Sequence, residues 1–188
     1  MLDFKTQKAL KLQPETVATQ VLDGENIQNL LDFVDFLQTN DLKLKLAAKY
    51  AWEIVIYYQA NIQSYRHSFK ILRRLRMDIE NKTWSISLDY YPQFADYITS
   101  NELKNFVWSK LYNKRCALSA ENPDCICGHG WIVDRDILGK KFDNMCCNEQ
   151  IKIINPSAKE LEHVKVLIMT TKLIVENEIA AKKQNCIV

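Results

Sequence analysis

Glycine and proline are scarce, with four of each in 188 residues. So little punctuation leaves few places for the tight turns of a many-stranded sandwich or barrel, and long helices become the expectation. Charge of one sign is lacking too. Twenty-five basic residues stand against 23 acidic ones, a formal charge of +2, so no global field points to a polyanion or a membrane surface. Any basic site must be local. No apolar run is long enough for a membrane span or a secretory leader, since the chain opens Met1-Leu2-Asp3-Phe4-Lys5 and continues into Gln, Lys and Glu. A cytoplasmic protein with no membrane partner is expected. Cys186-Ile187-Val188 falls one residue short of a C-a-a-X prenylation box, so no lipid anchor is expected either.

Enzyme signatures are also missing. There is no phosphate-binding glycine loop, serine elbow, HExxH or paired-carboxylate motif. Glu160-Leu161-Glu162-His163 offers a single Glu-x-x-His, whereas a di-iron bundle needs two, which leaves His163 a solvent or interface histidine. Arg66 directly precedes His67, without the spacer residues a helical ribonuclease would place between them.

What is present is an ordinary globular balance of 47% apolar and 26% charged residues, enough to fold as one compact unit. Pro14 and Glu15 read as the first turn of a short helix reaching Leu22. After Asp23-Gly24, the residues Ile27, Leu30, Leu31, Val34 and Leu37 form one apolar stripe on a helix ending near Asn40. From Asp41 to about Asn81 the positions Ala47, Ala51, Ile54, Tyr58, Ile62, Tyr65, Phe69, Leu72 and Ile79 keep to helical spacing. A long central helix, or two broken near residues 61–64, is expected there. Trp84, Ile86, Leu88 and Tyr90 then alternate with polar residues as a half-buried strand, stopped by Pro92. Thr99 and Glu102 offer a capping box for a helix carrying Leu103, Phe106, Val107 and Leu111, with a shorter helical piece before it. Residues 119–155 read as loop with short candidate strands at Trp131–Val133 and Ile151–Ile154. Pro156, Ser157 and Glu160 announce a last helix with Leu161, Val164, Ile168, Thr171, Val175 and Ile179 on its inner face. The expected fold is thus mainly α. It comprises a helical bundle over 1–118 with a short strand near 84–90, a small β-containing, cysteine-rich insertion over 119–155, and a C-terminal helix over 156–188 packing back on the bundle.

Two local features carry chemistry. Cys116, Cys125, Cys127, His129, Cys146 and Cys147 crowd soft ligands into one region, with Gly128 and Gly130 letting the backbone turn. Tetrahedral thiolate and imidazole ligation suits zinc, which would order a loop poor in apolar residues. Against it, Cys125 and Cys127 do not form a C-x2-C knuckle, and reduced buried cysteines fill the same positions as small apolar residues. The second feature is the run Arg66, Lys70, Arg73, Arg74 and Arg76, expected on a helix face. Such a stripe meets phosphates or an acidic protein surface, or is merely solvated and balanced by Asp78 and Glu80. The expected function is a non-enzymatic binding or regulatory protein contacting a protein or nucleoprotein partner, RNA or DNA included, with a structural zinc site. The alternative is a nucleic-acid-processing or cysteine-dependent enzyme.

Overall fold

The computed structural model describes residues 2–59, 66–111, 132–146 and 150–185. The chain divides into two compact units, Met1–Leu88 with Ile153–Val188, and Asp89–Lys152.

The first unit begins with α1 (Phe4–Ala9), α2 (Pro14–Val21) and α3 (Gly24–Thr39). Pro14 sits at the start of α2, where the absent N–H has no helical partner to lose. Leu30, Phe33, Val34 and Leu37 make the buried stripe of α3. The chain then turns into β1 (Lys45–Ala48), β2 (Ala51–Gln59), β3 (Arg66–Asp78) and β4 (Thr83–Asp89). The sheet is five-stranded, in the order β1-β2-β3-β4-β7, where β7 is Gln150–Ile154. The pairings of β1 with β2, β2 with β3 and β3 with β4 are all antiparallel.

This corrects the expectation of a mainly α helical bundle, because the segment predicted as the long central helix is the core of an antiparallel sheet. The physical reason lies in two register irregularities. Trp52 and Ile54, two apart on β2, face Leu75 and Leu72, three apart on β3. A second shift follows, with Ile54 against Leu72 but Val55 against Lys70. Extra residues of this kind are bulges, and they lengthen the buried repeat of β3 from two towards three. Phe69, Leu72 and Leu75 therefore imitate helical spacing on an extended chain. Composition was the better guide, since Trp52, Ile54, Val55, Ile56, Tyr57 and Tyr58 are the β-branched and aromatic types that suit a pleated surface.

In β4, Trp84, Ile86 and Leu88 are buried while Thr83, Ser85, Ser87 and Asp89 are half-buried, a strict alternation. β7 follows the same rule with Ile151 and Ile153. Asn155 then leaves the strand at a φ of 44°, donates its backbone N–H to the Trp84 carbonyl at 2.9 Å, and accepts the Trp84 N–H through Oδ1 at 2.9 Å. Helix α6 (Ala158–Asn185) starts three residues later. Ser157 and Glu160 cap it reciprocally, with the Ser157 N–H reaching Glu160 Oε2 at 2.9 Å and the Glu160 N–H reaching Ser157 Oγ at 3.3 Å. Leu161, Val164, Leu167, Ile168, Thr171, Ile174 and Val175 are buried along α6, which packs on β3 and on α3. The core between sheet and helices is anchored by Phe33 against Trp84, ring centroids 6.2 Å apart.

The second unit holds α4 (Phe94–Tyr97), α5 (Asn101–Lys110) and a hairpin of β5 (Ile132–Ile137) and β6 (Lys140–Cys146). Tyr90 and Tyr91 set their rings edge-on against buried Phe94. The N-cap of α5 is Ser100, whose Oγ accepts from the Leu103 N–H, one residue after the predicted capping Thr99. The hairpin turns through Leu138 and Gly139, both at positive φ, and the Asp136 carboxylate accepts the Gly139 N–H at 2.9 Å. Trp108 donates its indole N–H to the Ile137 carbonyl at 2.7 Å, and the Lys140 ammonium lies 5.3 Å from the Trp108 ring centroid. Among the described residues no helix is long and apolar enough to cross a membrane.

Candidate functional site

The arginine run lies on β3, so its residues present themselves by strand alternation and not by helical stacking. Register separates the two faces. Leu75 and Met77 oppose Ile86 and Trp84 on the buried side. Arg74 opposes Ser87, Arg76 opposes Ser85 and Asp78 opposes Thr83 on the other side. Beyond the bulges Lys70, opposite Val55, returns to this second face and forms an ion pair with Glu53 at 3.3 Å. The expected helix face of Arg66, Lys70, Arg73, Arg74 and Arg76 is therefore replaced by a strand face carrying Lys70, Arg74 and Arg76. Arg66 begins β3 and pairs with Gln59, its backbone alone being described. Arg73 falls within the first irregularity, between Leu72 and Leu75.

Within that set the cations differ. Lys70 is partnered by Glu53, while Arg76 is exposed. Arg74 is half-buried, and its Nε–H is buried with no hydrogen-bond acceptor among the described residues. A buried guanidinium donor without an acceptor is costly, on the order of 1 to 3 kcal/mol. Asp78, the nearest acid on the strand, is engaged elsewhere. Its carboxylate accepts from the Asn81 amide at 2.9 Å and from the Glu80 and Asn81 backbone N–H groups at 3.1 Å. Those bonds, led by the Asn81 side chain and followed at longer range by Arg76, hold the carboxyl below its usual range.

Of the cysteine region, Cys116, Cys125, Cys127, His129 and Cys147 lie outside the described residues. Cys146 ends β6 opposite Ile132, with only its backbone described. Among the described residues no three His, Cys, Asp or Glu side chains are grouped as metal ligands. His163 is half-buried on α6.

Sequence reasoning missed three features. The side chain of Gln7 is fully buried, donates to the Leu2 carbonyl at 2.7 Å and accepts the Tyr50 N–H at 2.9 Å. No periodicity signals such a clasp, because its partners lie 43 residues apart. A crevice of about 330 Å³ lies between the start of α2 and the end of α3, where the Gln38 amide donates to Glu15 Oε1 at 2.7 Å. Helix α6 also bears a second apolar stripe, Val166, Met169 and Leu173, which with Phe36 lines an open groove. Its i, i+3, i+7 spacing was visible in the sequence, but the stronger inner stripe concealed it.

Compared with protein-family models, curated proteins and solved structures, the chain matches none of them.

Proposed function

We propose that this chain is a non-enzymatic binding protein that contacts a nucleoprotein partner inside the cell, with Arg74 and Arg76 of β3 meeting its backbone phosphates. The observation carrying this reading is the placement on one strand face of exposed Arg76 and half-buried Arg74, whose Nε–H has no acceptor among the described residues. Residues two apart on a strand lie about 6.5 to 7 Å apart, so the two guanidinium groups reach successive anionic groups along an extended chain. The hydroxyls of Ser87 and Ser85 stand opposite them as further donors. Guanidinium groups take phosphate oxygens two at a time, which an ammonium does not. In the same reading four of Cys116, Cys125, Cys127, His129, Cys146 and Cys147 supply the ligands of a structural zinc ion: Cys116, Cys125 or Cys127, His129, and one of the adjacent pair.

Fluorescence anisotropy with a labelled single-stranded RNA tests the first half. The expected result is salt-sensitive binding by the full chain, and loss on Arg74→Glu with Arg76→Glu. Replacing both by Lys should weaken binding while leaving the charge intact. Equal binding by the native and Glu-substituted chains, or no binding by the native chain, ends the proposal. Metal analysis of the purified protein tests the second half, with a zinc content near zero counting against it.

A further inference from the structure

The sequence's near-neutral charge conceals an uneven distribution, and the structure shows where one concentration lies. Every residue from Leu2 to Lys11 is exposed, apart from half-buried Thr6 and buried Gln7. Three large apolar side chains stand in water there: Leu2 at 42% exposure, Phe4 at 38% and Leu10 at 63%. Isolated exposed leucines are unremarkable, whereas here three large apolar side chains are exposed within nine consecutive residues. The same stretch exposes Lys5, Lys8 and Lys11, none of which forms an ion pair with a described residue. Its one acid, Asp3, is exposed and caps α1, accepting from the Thr6 N–H and hydroxyl, both at 2.9 Å.

This segment is held fast despite its exposure. Gln7 binds the Leu2 carbonyl and the Tyr50 N–H, and the Tyr50 hydroxyl accepts the Leu2 N–H at 2.9 Å. At its far end the Trp52 indole N–H donates to the Leu12 carbonyl at 3.0 Å. A fourth cation lies alongside, since the Lys49 ammonium is 5.9 Å from the centroid of that same Tyr50 ring. Apolar side chains and unpaired ammonium groups are thus displayed together on a backbone fixed to the sheet.

We infer that residues 2–11 with Lys49 form a docking surface for an anionic membrane, lying on the bilayer without crossing it. The mixture of groups selects this occupant. An anionic headgroup layer attracts clustered lysines, and the acyl region directly beneath it receives Leu2, Phe4 and Leu10. Lysine stems reach along such an interface while their ammonium groups stay at the headgroups. A nucleic acid backbone would satisfy the lysines but would leave three apolar side chains in water.

The inference stands on residues other than Arg74 and Arg76, so it survives or fails independently of the function proposed above. The test is sedimentation of the full chain with vesicles of phosphatidylcholine alone or mixed with phosphatidylserine. Binding is expected to the mixed vesicles only, and to weaken as salt rises. Lys5→Glu, Lys8→Glu and Lys11→Glu together should lower partitioning by at least about tenfold. Phe4→Ser with Leu10→Ser should lower it at unchanged charge, and Phe4→Trp should shift its emission to the blue on mixed vesicles. All of these positions are exposed, so folding should persist, which the thermal transition checks. Equal binding to both vesicle types, no binding to either, or undiminished binding by the Glu-substituted chain overturns the inference. So does binding by the Phe4→Ser, Leu10→Ser chain equal to that of the native one.

Discussion

Gln7 shows how a single side chain replaces several contacts that secondary structure would otherwise supply. It satisfies the Leu2 carbonyl and the Tyr50 N–H, 48 positions apart, with Tyr50 held at a φ of 50°. Gln7→Leu should leave the Tyr50 N–H buried and unpaired, destabilising the fold by about 1 to 3 kcal/mol. A lowered denaturation midpoint, with faster amide exchange at Tyr50 than at Leu75, is the expected readout. Asp3 and Asp78 allow a prediction about pH. Hydrogen bonds from Thr6, backbone N–H first, hold Asp3 below the ordinary 3.8, and those from Asn81 do the same for Asp78. A depressed folded-state value means that the unfolded chain binds protons more readily, so these bonds stabilise the fold above the ordinary carboxylate value. Their contribution disappears as pH falls through the lower folded values. Carboxyl-carbon NMR titration should give midpoints under 3.8 for both, and Asp3→Asn should remove the acid sensitivity of α1 alone.

At the level of elements, helices α2, α3 and α6 were legible from a start signal, from a regular apolar stripe and from both together, respectively. Pro14 opens the first, and the Ser157–Glu160 box opens the last. The stretch through β2 and β3 misled for the opposite reason: its bulges placed buried Leu72 and Leu75 three apart, so position alone pointed to a helix. β6 escaped notice because its hairpin turns on Leu138-Gly139, and a leucine at positive φ is no turn signal. The arginines were identified as cations from sequence, but which of them share a face depended on a register that no spacing rule could supply. The two stripes of α6 make a contrast that can be measured. Leu167, fully buried, should cost about 2 to 5 kcal/mol when changed to Ala. Leu173, 43% exposed one helical face away, should change stability by no more than about 0.5 kcal/mol under the same substitution. Urea denaturation of both variants checks this, and similar losses would mean that the outer stripe is covered in solution.

Across the whole molecule, the core of the first unit draws on both ends of the chain. α3 supplies Phe33, the sheet supplies Trp84, and α6 closes over both layers from residues beyond 157. Strands β1 to β4 follow one another as neighbours, whereas β7 joins β4 only after 60 further residues of chain have intervened between Asp89 and Gln150. The Asn155 bonds to Trp84 span 71 positions. On a ribosome the four-stranded meander emerges first, while Trp84, Ile86 and Leu88 await both their outer strand and their covering helix. Pairings between such distant positions form slowly, and apolar surface left open meanwhile invites association between nascent chains. The turn at Asn155 therefore acts as a latch in time as well as in space: until it closes, β4 is an unguarded edge of the meander.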